Sequence, residues 1–122
     1  MSSTQVVEEW REILDRHAKV SCALEKALGA DHKIGLSEFE ILDRLADADH
    51  GNCRMNELAG DIYLSQSALS RAVDRLVADG LVQRLTCDDD RRGVFVKLTD
   101  AGRKVHREAV PTHREVLSTF LG

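Results

Sequence analysis

Residues 64–99 read LSQSALSRAVDRLVADGLVQRLTCDDDRRGVFVKLT, and this stretch decides the fold. Its first residues predict a helix, because the Ser65 hydroxyl can accept a hydrogen bond from the free amides of a first helical turn. At about 100° per residue, apolar residues gather on one side of that helix and polar residues on the other. The apolar side comprises Leu69, Ala72, Val73, Leu76 and Val77, and the polar side comprises Ser67, Ser70, Arg71 and Asp74.

A β-hairpin is predicted directly after this helix. Gly80 supplies the left-handed residue that is common just past a helix C-terminus, and residues 81–86 have the composition of a strand. Residues 94–98, VFVKL, alternate as a returning strand with one apolar face, and the polar residues 88–93 form the tip. A helix followed at once by a hairpin is the arrangement of a winged helix.

A second, shorter helix is predicted just upstream. Residues 55–59, MNELA, favour a helix, and a short break from Gly60 to Leu64 separates it from the helix that Ser65 begins. Two helices across a tight turn form a helix-turn-helix, in which the second helix enters the DNA major groove by its N-terminal residues. A capped amphipathic helix and a charged turn are each common by themselves, so their adjacency is what favours DNA reading.

Length and composition indicate one domain. At 122 residues and 43% hydrophobic content, the chain suits a single core, and we expect one domain, 1–122. No apolar run approaches the ~20 residues of a membrane span, and the N-terminal MSSTQVVEEW lacks the basic and apolar regions of a signal peptide. We therefore expect a cytoplasmic protein without a membrane partner.

The charge distribution is compatible with a nucleic-acid partner despite the net charge of −4. Residues 65–107 carry nine Lys or Arg against six Asp, a net charge of +3, whereas the remainder carries −7. Charges act over a Debye length of about 8 to 10 Å, so a basic half can bind DNA while an acidic half limits nonspecific affinity. Strong salt dependence of binding is expected.

The first part of the chain predicts a long amphipathic helix from residue 4 to about 30. Its apolar stripe consists of Val6, Trp10, Ile13, His17, Val20, Leu24 and Leu28. A helix of this length projects beyond a compact winged helix, so part of the stripe is expected to contact another subunit. The segment GADHKIG, residues 29–35, is predicted as a turn, after which Ser37 caps a helix that contains Phe39. Cys53 and Arg54 are predicted to add a short strand.

A last helix is predicted from residue 100 to 121, capped by Thr99. Its stripe consists of Ala101, Val105, Ala109, Thr112, Val116 and Phe120. Pro111 removes one backbone hydrogen bond and predicts a kink. His106 and His113 can share a face of this helix, but no third ligand is nearby in sequence, so a metal site is not predicted.

The motif LSQSALSRAVDRLVADGLVQR followed by DDDRRGVFVKLTDAG resembles the recognition helix and wing of MarR-type bacterial transcriptional regulators. The likeness covers residues 36–102, including GLSEFEILDRLA and MNELAGDIYLS. It implies an α+β, mainly α, fold, with a winged helix-turn-helix core at about 36–100 and long helices at about 4–30 and 100–121 that form a dimer frame. The final helix that the family usually has is missing from this sequence.

The resemblance also implies a function and a set of site residues. The family's homodimers bind palindromic operators in double-stranded DNA, usually as repressors that a small molecule, often an aromatic acid, or an oxidant releases. Major-groove contacts are implied for Ser65, Gln66, Ser67, Ser70 and Arg71. In the wing, Asp90 is implied to orient Arg92 toward the minor groove, with Arg91 beside it. Physical chemistry agrees, because Ser, Gln and Arg side chains suit base edges and a tip arginine suits a narrow minor groove. Arg75 and Arg84 are predicted to hold DNA phosphates.

The effector site is the least defined part of the prediction. The resemblance places a pocket between the DNA-binding lobe and the dimer frame, which would draw on Trp10, His17, Phe39 and Arg54. A thiol-based sensor is an alternative, but Cys22, Cys53 and Cys87 form no C-x-x-C pair, and only Cys53 has a basic sequence neighbour. Free thiols are expected.

Other classes of function are weaker. A winged helix that contacts only an acidic protein remains an alternative. The sequence lacks a Gly-rich phosphate loop, G-x-S-x-G and H-E-x-x-H, so we predict no enzyme, no catalytic residue, no metal and no cofactor.

Overall fold

The computed structural model describes residues 2–86 and 93–122. Most of them are helical, and a small antiparallel sheet completes the α+β, mainly α, architecture that the sequence predicts. None of the helices within these residues combines the length and apolarity of a bilayer span. The elements are α1 (Ser3–His32), α2 (Leu36–Asp47), a 3₁₀ turn (Asp49–Gly51), β1 (Asn52–Arg54), α3 (Met55–Ile62), α4 (Gln66–Ala78), β2 (Val82–Thr86), β3 (Val94–Leu98) and α5 (Asp100–Leu121).

The sheet has β3 at its centre, paired antiparallel with β1 on one side and β2 on the other. Cys53 of β1 and Arg84 of β2 both lie opposite Val96. Val96 and Leu98 are buried and cover the core, as predicted for the returning strand, whereas Val94 on the same face is exposed. The short strand predicted at Cys53 and Arg54 is confirmed.

The predicted boundaries of α4 are confirmed. The Ser65 hydroxyl accepts a hydrogen bond from the Ala68 amide at 3.1 Å, and Gly80 takes a left-handed φ of 74° just past the helix. Val77 departs from the prediction, because its side chain is exposed rather than buried. At about 100° per residue it lies roughly 90° from the middle of the buried stripe, at the edge of the apolar face. The buried stripe consists of Leu69, Ala72, Val73 and Leu76.

The turn predicted at residues 29–35 is wrong in its first half. α1 continues to His32 and ends at Lys33, whose φ of 58° reverses the chain. The His32 ring forms a hydrogen bond of 2.8 Å with the Thr112 hydroxyl of α5, which holds the last turn of α1 against that helix. This tertiary contact extends the helix through Gly29, where a glycine costs about 1 kcal/mol relative to alanine.

The predicted cap of α2 is also wrong, because Ser37 lies inside the helix. α2 begins at Leu36 with Gly35 as its N-cap residue. Two carboxylates satisfy the first amides instead of a serine hydroxyl, since Glu38 accepts from Gly35 N at 3.2 Å and Glu25 accepts from Leu36 N at 2.7 Å. An acidic side chain is favourable at this positive end of a helix. Glu25 therefore joins α1 to the start of α2.

α3 is longer than the predicted MNELA segment. It continues through Gly60 to Ile62, and the chain reverses at Tyr63, whose φ is 57°. Ile62 packs against the core, and this burial extends the helix beyond the glycine. The break between the two helices is consequently shorter than the predicted span from Gly60 to Leu64.

One hydrophobic core lies beneath α2, α3, α4, α5 and the sheet. Its buried members are Leu28, Ile34, Phe39, Ile41, Leu42, Leu45, Leu58, Leu69, Ala72, Val73, Leu76, Leu81, Val82, Val96, Leu98 and Ala109. Leu28 is the contribution of α1, which also packs along α5. The apolar stripe of α1 is therefore divided: Val20, Leu24 and Leu28 are buried, whereas Val6, Trp10 and Ile13 are half exposed or more.

α5 begins where the sequence predicts. The Thr99 hydroxyl accepts from the Gly102 amide at 3.0 Å and donates to the Gly80 carbonyl at 2.8 Å, which fastens the helix to the turn after α4. Pro111 does not end the helix, which runs on to Leu121. A side chain at Gly102 would collide with the Leu81 carbonyl, so the glycine allows this close approach.

A polar cluster joins α2 to α5 around the buried ring of Phe39. The rings of His113 and His106 stack on Phe39, with centroid distances of 4.4 and 5.7 Å. His106 Nε2 lies 2.7 Å from Asp43, and Arg114 donates to the same carboxylate at 3.1 Å. The two histidines thus share a face of α5, as the sequence allows, but this face is occupied by an aromatic ring. Phe39 is fully buried, which removes it as a candidate effector contact.

The titration of Asp43 reflects these contacts. Burial by itself raises the pKa of this carboxyl, but the hydrogen bonds from His106 and Arg114 outweigh the burial, and the pKa lies below its ordinary value. A lowered pKa in the folded state means that the ionised form stabilises the fold. This contribution is fully present above the unfolded value of about 4 and is lost as the pH falls through the lower folded value.

We predict that Asp43→Asn lowers the free energy of unfolding at pH 7 by about 1–2 kcal/mol, because two charge-assisted hydrogen bonds are weakened. Urea unfolding at pH 7 and at pH 3 measures the effect, which should shrink at the lower pH. Asp47→Asn, at an exposed position of the same helix, is the matched control. Equal losses at both pH values would contradict the role assigned to the Asp43 charge.

Candidate nucleic-acid interface

The start of α4 presents a polar surface to solvent. Ser65, Gln66, Ser67 and Arg71 are exposed, and Ser70 is partly buried on the same face. At about 100° per residue, positions 66, 67, 70 and 71 fall within roughly 140° of one another, so they form one continuous surface. The residues proposed from the sequence for the major groove are therefore brought together.

Among the arginines on or beside α4, Arg71 differs from its neighbours. Its side chain forms no hydrogen bond or ion pair with the part of the chain that the structure describes, and it is exposed. A guanidinium without an internal partner retains all five N–H donors for another molecule.

Arg75 is turned toward the body of the protein. Its Nε donates to Glu38 Oε1 at 2.7 Å, and Glu38 is 8% exposed while the arginine side chain is 55% exposed. The same carboxylate caps Gly35, so Arg75 connects the recognition helix to the start of α2. Its predicted contact with a DNA phosphate stays a prediction, because the structure gives this side chain an internal partner.

Arg84 of β2 reaches across to α4. Its Nη1 lies 2.8 Å from Asp74 Oδ1, and its Nη2 donates to the Ser70 hydroxyl at 3.3 Å and to the Ser70 carbonyl at 3.4 Å. These two residues lie one helical turn apart. The wing strand is therefore attached to the middle of the recognition helix, a connection that sequence reasoning missed because it joins two separate elements.

A cleft of 520 Å³ lies between the recognition helix and the wing strands. Its walls include Gln66 and Ser70 of α4, Val94 of β3, Arg54 at the end of β1 and Asn56 of α3. Arg54 stacks on the Phe95 ring at 5.4 Å, so it belongs to the DNA-binding lobe and not to an effector pocket at the frame. Asn56 is a further polar side chain that the sequence did not single out.

The predicted wing pair lies outside the described residues. Asp90, Arg91 and Arg92 lie between β2 and β3 in the sequence. β2 ends at Thr86 and β3 begins at Val94. The roles of these three residues stay predictions.

The four residues predicted for an effector pocket are not brought together. Phe39 is in the core and Arg54 lines the cleft beside the wing, while Trp10 lies exposed near the start of α1. Only His17 lines a cleft between the frame and the DNA-binding lobe. This second cleft has a volume of 460 Å³ and is bordered by α1, α2 and the turn after α3, with Arg44 and Tyr63 among its walls.

The thiol of Cys53 is poorly suited to redox sensing. Burial raises its pKa, and the neighbouring Glu57 carboxylate, which accepts a hydrogen bond from the thiol at 3.6 Å, raises it further. A higher pKa reduces the fraction of reactive thiolate at neutral pH. Cys22 is exposed on α1, and Cys87 lies outside the described residues.

Comparisons with known proteins agree with this geometry. Residues 34–94, half of the chain, match the sequence model of the MarR family. The HTH-type transcriptional regulator PecS of Dickeya dadantii is 26% identical over 96% of this chain and 82% of its own length. The HTH-type transcriptional repressor NicR of Pseudomonas putida is 30% identical over 71% of this chain and 55% of its own.

A solved structure extends the likeness to nearly the whole chain. Sco3205, a MarR family transcriptional regulator from Streptomyces coelicolor whose crystal structure contains DNA, is 30% identical. The superposition has a TM-score of 0.89 and covers 99% of this chain and 76% of that one. The family match, the helix-turn-helix and the wing strands lead to one conclusion: the chain belongs to the MarR family of winged helix transcriptional regulators.

Proposed function

We propose that this protein binds a palindromic DNA operator sequence-specifically as a homodimer and represses transcription. The observation that carries the proposal is the exposed polar face of α4, on which Arg71 has no partner within the described residues. Two similar proteins support it: Sco3205, whose crystal structure contains DNA, and NicR, which is a transcriptional repressor. Two half-sites one helical turn apart require two paired recognition helices, which is why the active form is a dimer.

The proposed contacts divide between the two grooves. Side chains at the start of α4 offer both donors and acceptors to base edges, and Arg71 reaches a guanine edge or an adjacent phosphate. Arg92, oriented by Asp90 and flanked by Arg91, enters the minor groove from the wing tip. The relatively acidic remainder of the chain limits binding to unrelated DNA.

We predict that Arg71→Ala weakens binding to the preferred duplex by about 1–3 kcal/mol and relaxes the base preference at one position. The preferred duplex is obtained by selection from a random DNA pool with the wild-type protein, and fluorescence anisotropy measures affinity. Arg92→Ala is expected to weaken binding with an unchanged melting temperature.

Lys26→Ala, at an exposed position on the face of α1 away from Trp10 and Ile13, is the control for loss of positive charge. Selection that enriches no duplex would contradict the proposed function and favour the alternative of a wing that contacts an acidic protein. Normal duplex binding by Arg71→Ala with a lowered melting temperature would instead make Arg71 a structural residue.

The dimer surface is proposed to lie on the exposed half of α1 and the end of α5. Trp10 is 57% exposed and Ile13 56%, which is unusual for large apolar side chains on one helix stripe. Phe120 borders the same shallow depression as Ile13, and Leu121 beside it is also exposed. Exposed apolar side chains thus lie on both helices, with charged residues of α1 beside them, and the partner proposed for this surface is a second copy of this chain.

We predict that Trp10→Glu converts the dimer to a monomer, because a buried unpaired carboxylate in an apolar interface is costly. The residue is exposed in the single chain, so the fold should survive. Sedimentation velocity at micromolar concentration measures the association state. Ala30→Glu introduces the same charge at an exposed position on the opposite face of α1 and should leave the dimer intact. A wild-type monomer under these conditions would refute the dimer proposal.

A small aromatic acid is the effector that we propose, bound in the cleft lined by His17 and Arg44. The apolar part of the cleft, with Leu36, Ile62 and Tyr63, suits a ring, and Arg44 suits a carboxylate. One nitrogen of Arg44 already donates to the Asp61 carbonyl at 3.3 Å, which holds the guanidinium at the cleft wall. The raised pKa of Cys53 makes a thiol-based signal through that residue the weaker alternative.

We predict that benzoate weakens binding to the selected duplex and that Arg44→Gln abolishes this response while binding without benzoate stays the same. Anisotropy titrations with benzoate, and with benzylamine as a ligand of similar ring and opposite charge, measure the effect. A response of the same size in wild type and Arg44→Gln would exclude this cleft as the effector site.

A further inference from the structure

The contact between Arg84 and α4 has the geometry of a clamp. Its two terminal nitrogens engage Asp74 and Ser70, with contacts of 2.8 to 3.4 Å. The arginine side chain is 37% exposed and the aspartate side chain 60%. Exposed ion pairs add little to folding stability, so we expect this pair to affect the relative position of two elements more than the free energy of unfolding. It sets the position of the wing strand relative to the recognition helix.

The clamp also determines what Ser70 can offer to DNA. A guanidinium has donors only, so the Ser70 oxygen accepts from Arg84, which leaves the hydroxyl hydrogen and one lone pair for another molecule. Ser70 lines the cleft beside the wing together with Gln66, on the side that the proposed function assigns to DNA. The acceptors available there are phosphate oxygens and the N7, O6 and O4 atoms of the major-groove edges.

We infer that Arg84 and Asp74 are positioning residues for DNA specificity, which lock the wing strand to the recognition helix and fix the direction of the Ser70 hydroxyl. Arg84 thus contributes through Ser70 and the wing and makes no phosphate contact. The inference rests on the proposed function, because it specifies how the same DNA-binding surface discriminates between sequences.

Two substitutions distinguish a clamp from a phosphate contact. Arg84→Lys keeps the positive charge, but a single ammonium cannot reproduce the planar fork that spans Asp74 and Ser70. Asp74→Asn removes a negative charge from a surface that faces DNA. Electrostatics alone predicts that this change tightens binding to every duplex, whereas the clamp predicts that the preference for one sequence is lost.

The experiment measures dissociation constants by anisotropy across a series of salt concentrations. The two probes are the duplex selected by the wild-type protein and a scrambled duplex of the same base composition. The proteins are wild type, Arg84→Lys, Arg84→Gln and Asp74→Asn, with Asp79→Asn as the control for a lost charge at an exposed position one residue past α4. Melting temperatures are recorded for each.

The clamp predicts that Arg84→Lys, Arg84→Gln and Asp74→Asn each reduce the preference for the selected duplex about tenfold, equivalent to one good base contact. The slope of affinity against salt concentration should not change for Arg84→Lys or Arg84→Gln. Asp79→Asn should retain the full preference. If an Arg84 variant melts at a lower temperature, the Asp74→Asn result decides, because that change keeps the shape of the side chain.

Two results would overturn the inference alone. In one, Arg84→Lys keeps the full preference for the selected duplex, while Arg84→Gln reduces the slope of log affinity against log salt concentration by about 1. That reduction is expected for a lost phosphate contact. The other is equal tightening of both duplexes by Asp74→Asn. A wild-type protein that prefers neither duplex would overturn the proposed function, and this inference would fall with it.

Discussion

The packing of α5 against α2 around Phe39 is the interaction on which the rest of the structure depends. Both histidine rings of α5 lie on this buried ring, and Asp43 binds His106 and Arg114 from the α2 side. α5 is one of the two long helices of the frame, and α2 belongs to the DNA-binding lobe. The contact between the two helices therefore sets the angle between the frame and the lobe. Its polar contacts are directional, unlike the apolar core beneath, and they select one packing of the two helices.

A second set of contacts links the frame to the recognition helix through the start of α2. Glu25 of α1 caps Leu36, and Glu38 holds both Gly35 and Arg75 of α4. The three helices therefore meet at one short segment, with the proposed effector cleft beside it. A ligand that moved α1 relative to α2 would act on residues in direct contact with the recognition helix. The proposed effector cleft is therefore connected to the recognition helix through a few residues in direct contact.

The elements with a local chemical signal could be predicted from the sequence. Ser65 and Thr99 cap their helices and Gly80 ends α4, because each interaction spans only a few residues. The continuation of α1 through Gly29 and of α3 through Gly60 could not be predicted in the same way. Their helical state costs about 1 kcal/mol each, and contacts with residues distant in sequence or with the core offset that cost.

The sequence by itself determined the winged helix and the polar face of α4, since helical periodicity, caps and strand alternation are short-range properties. It assigned Arg71 to the major groove and Arg75 and Arg84 to phosphates, but it did not predict which of these arginines pair within the protein. Folding brings Glu38 to Arg75 and Asp74 to Arg84, and it leaves Arg71 without a partner among the described residues. Only the tertiary structure decided these pairings, because an ion pair depends on which charges meet in space and not on their spacing along the chain.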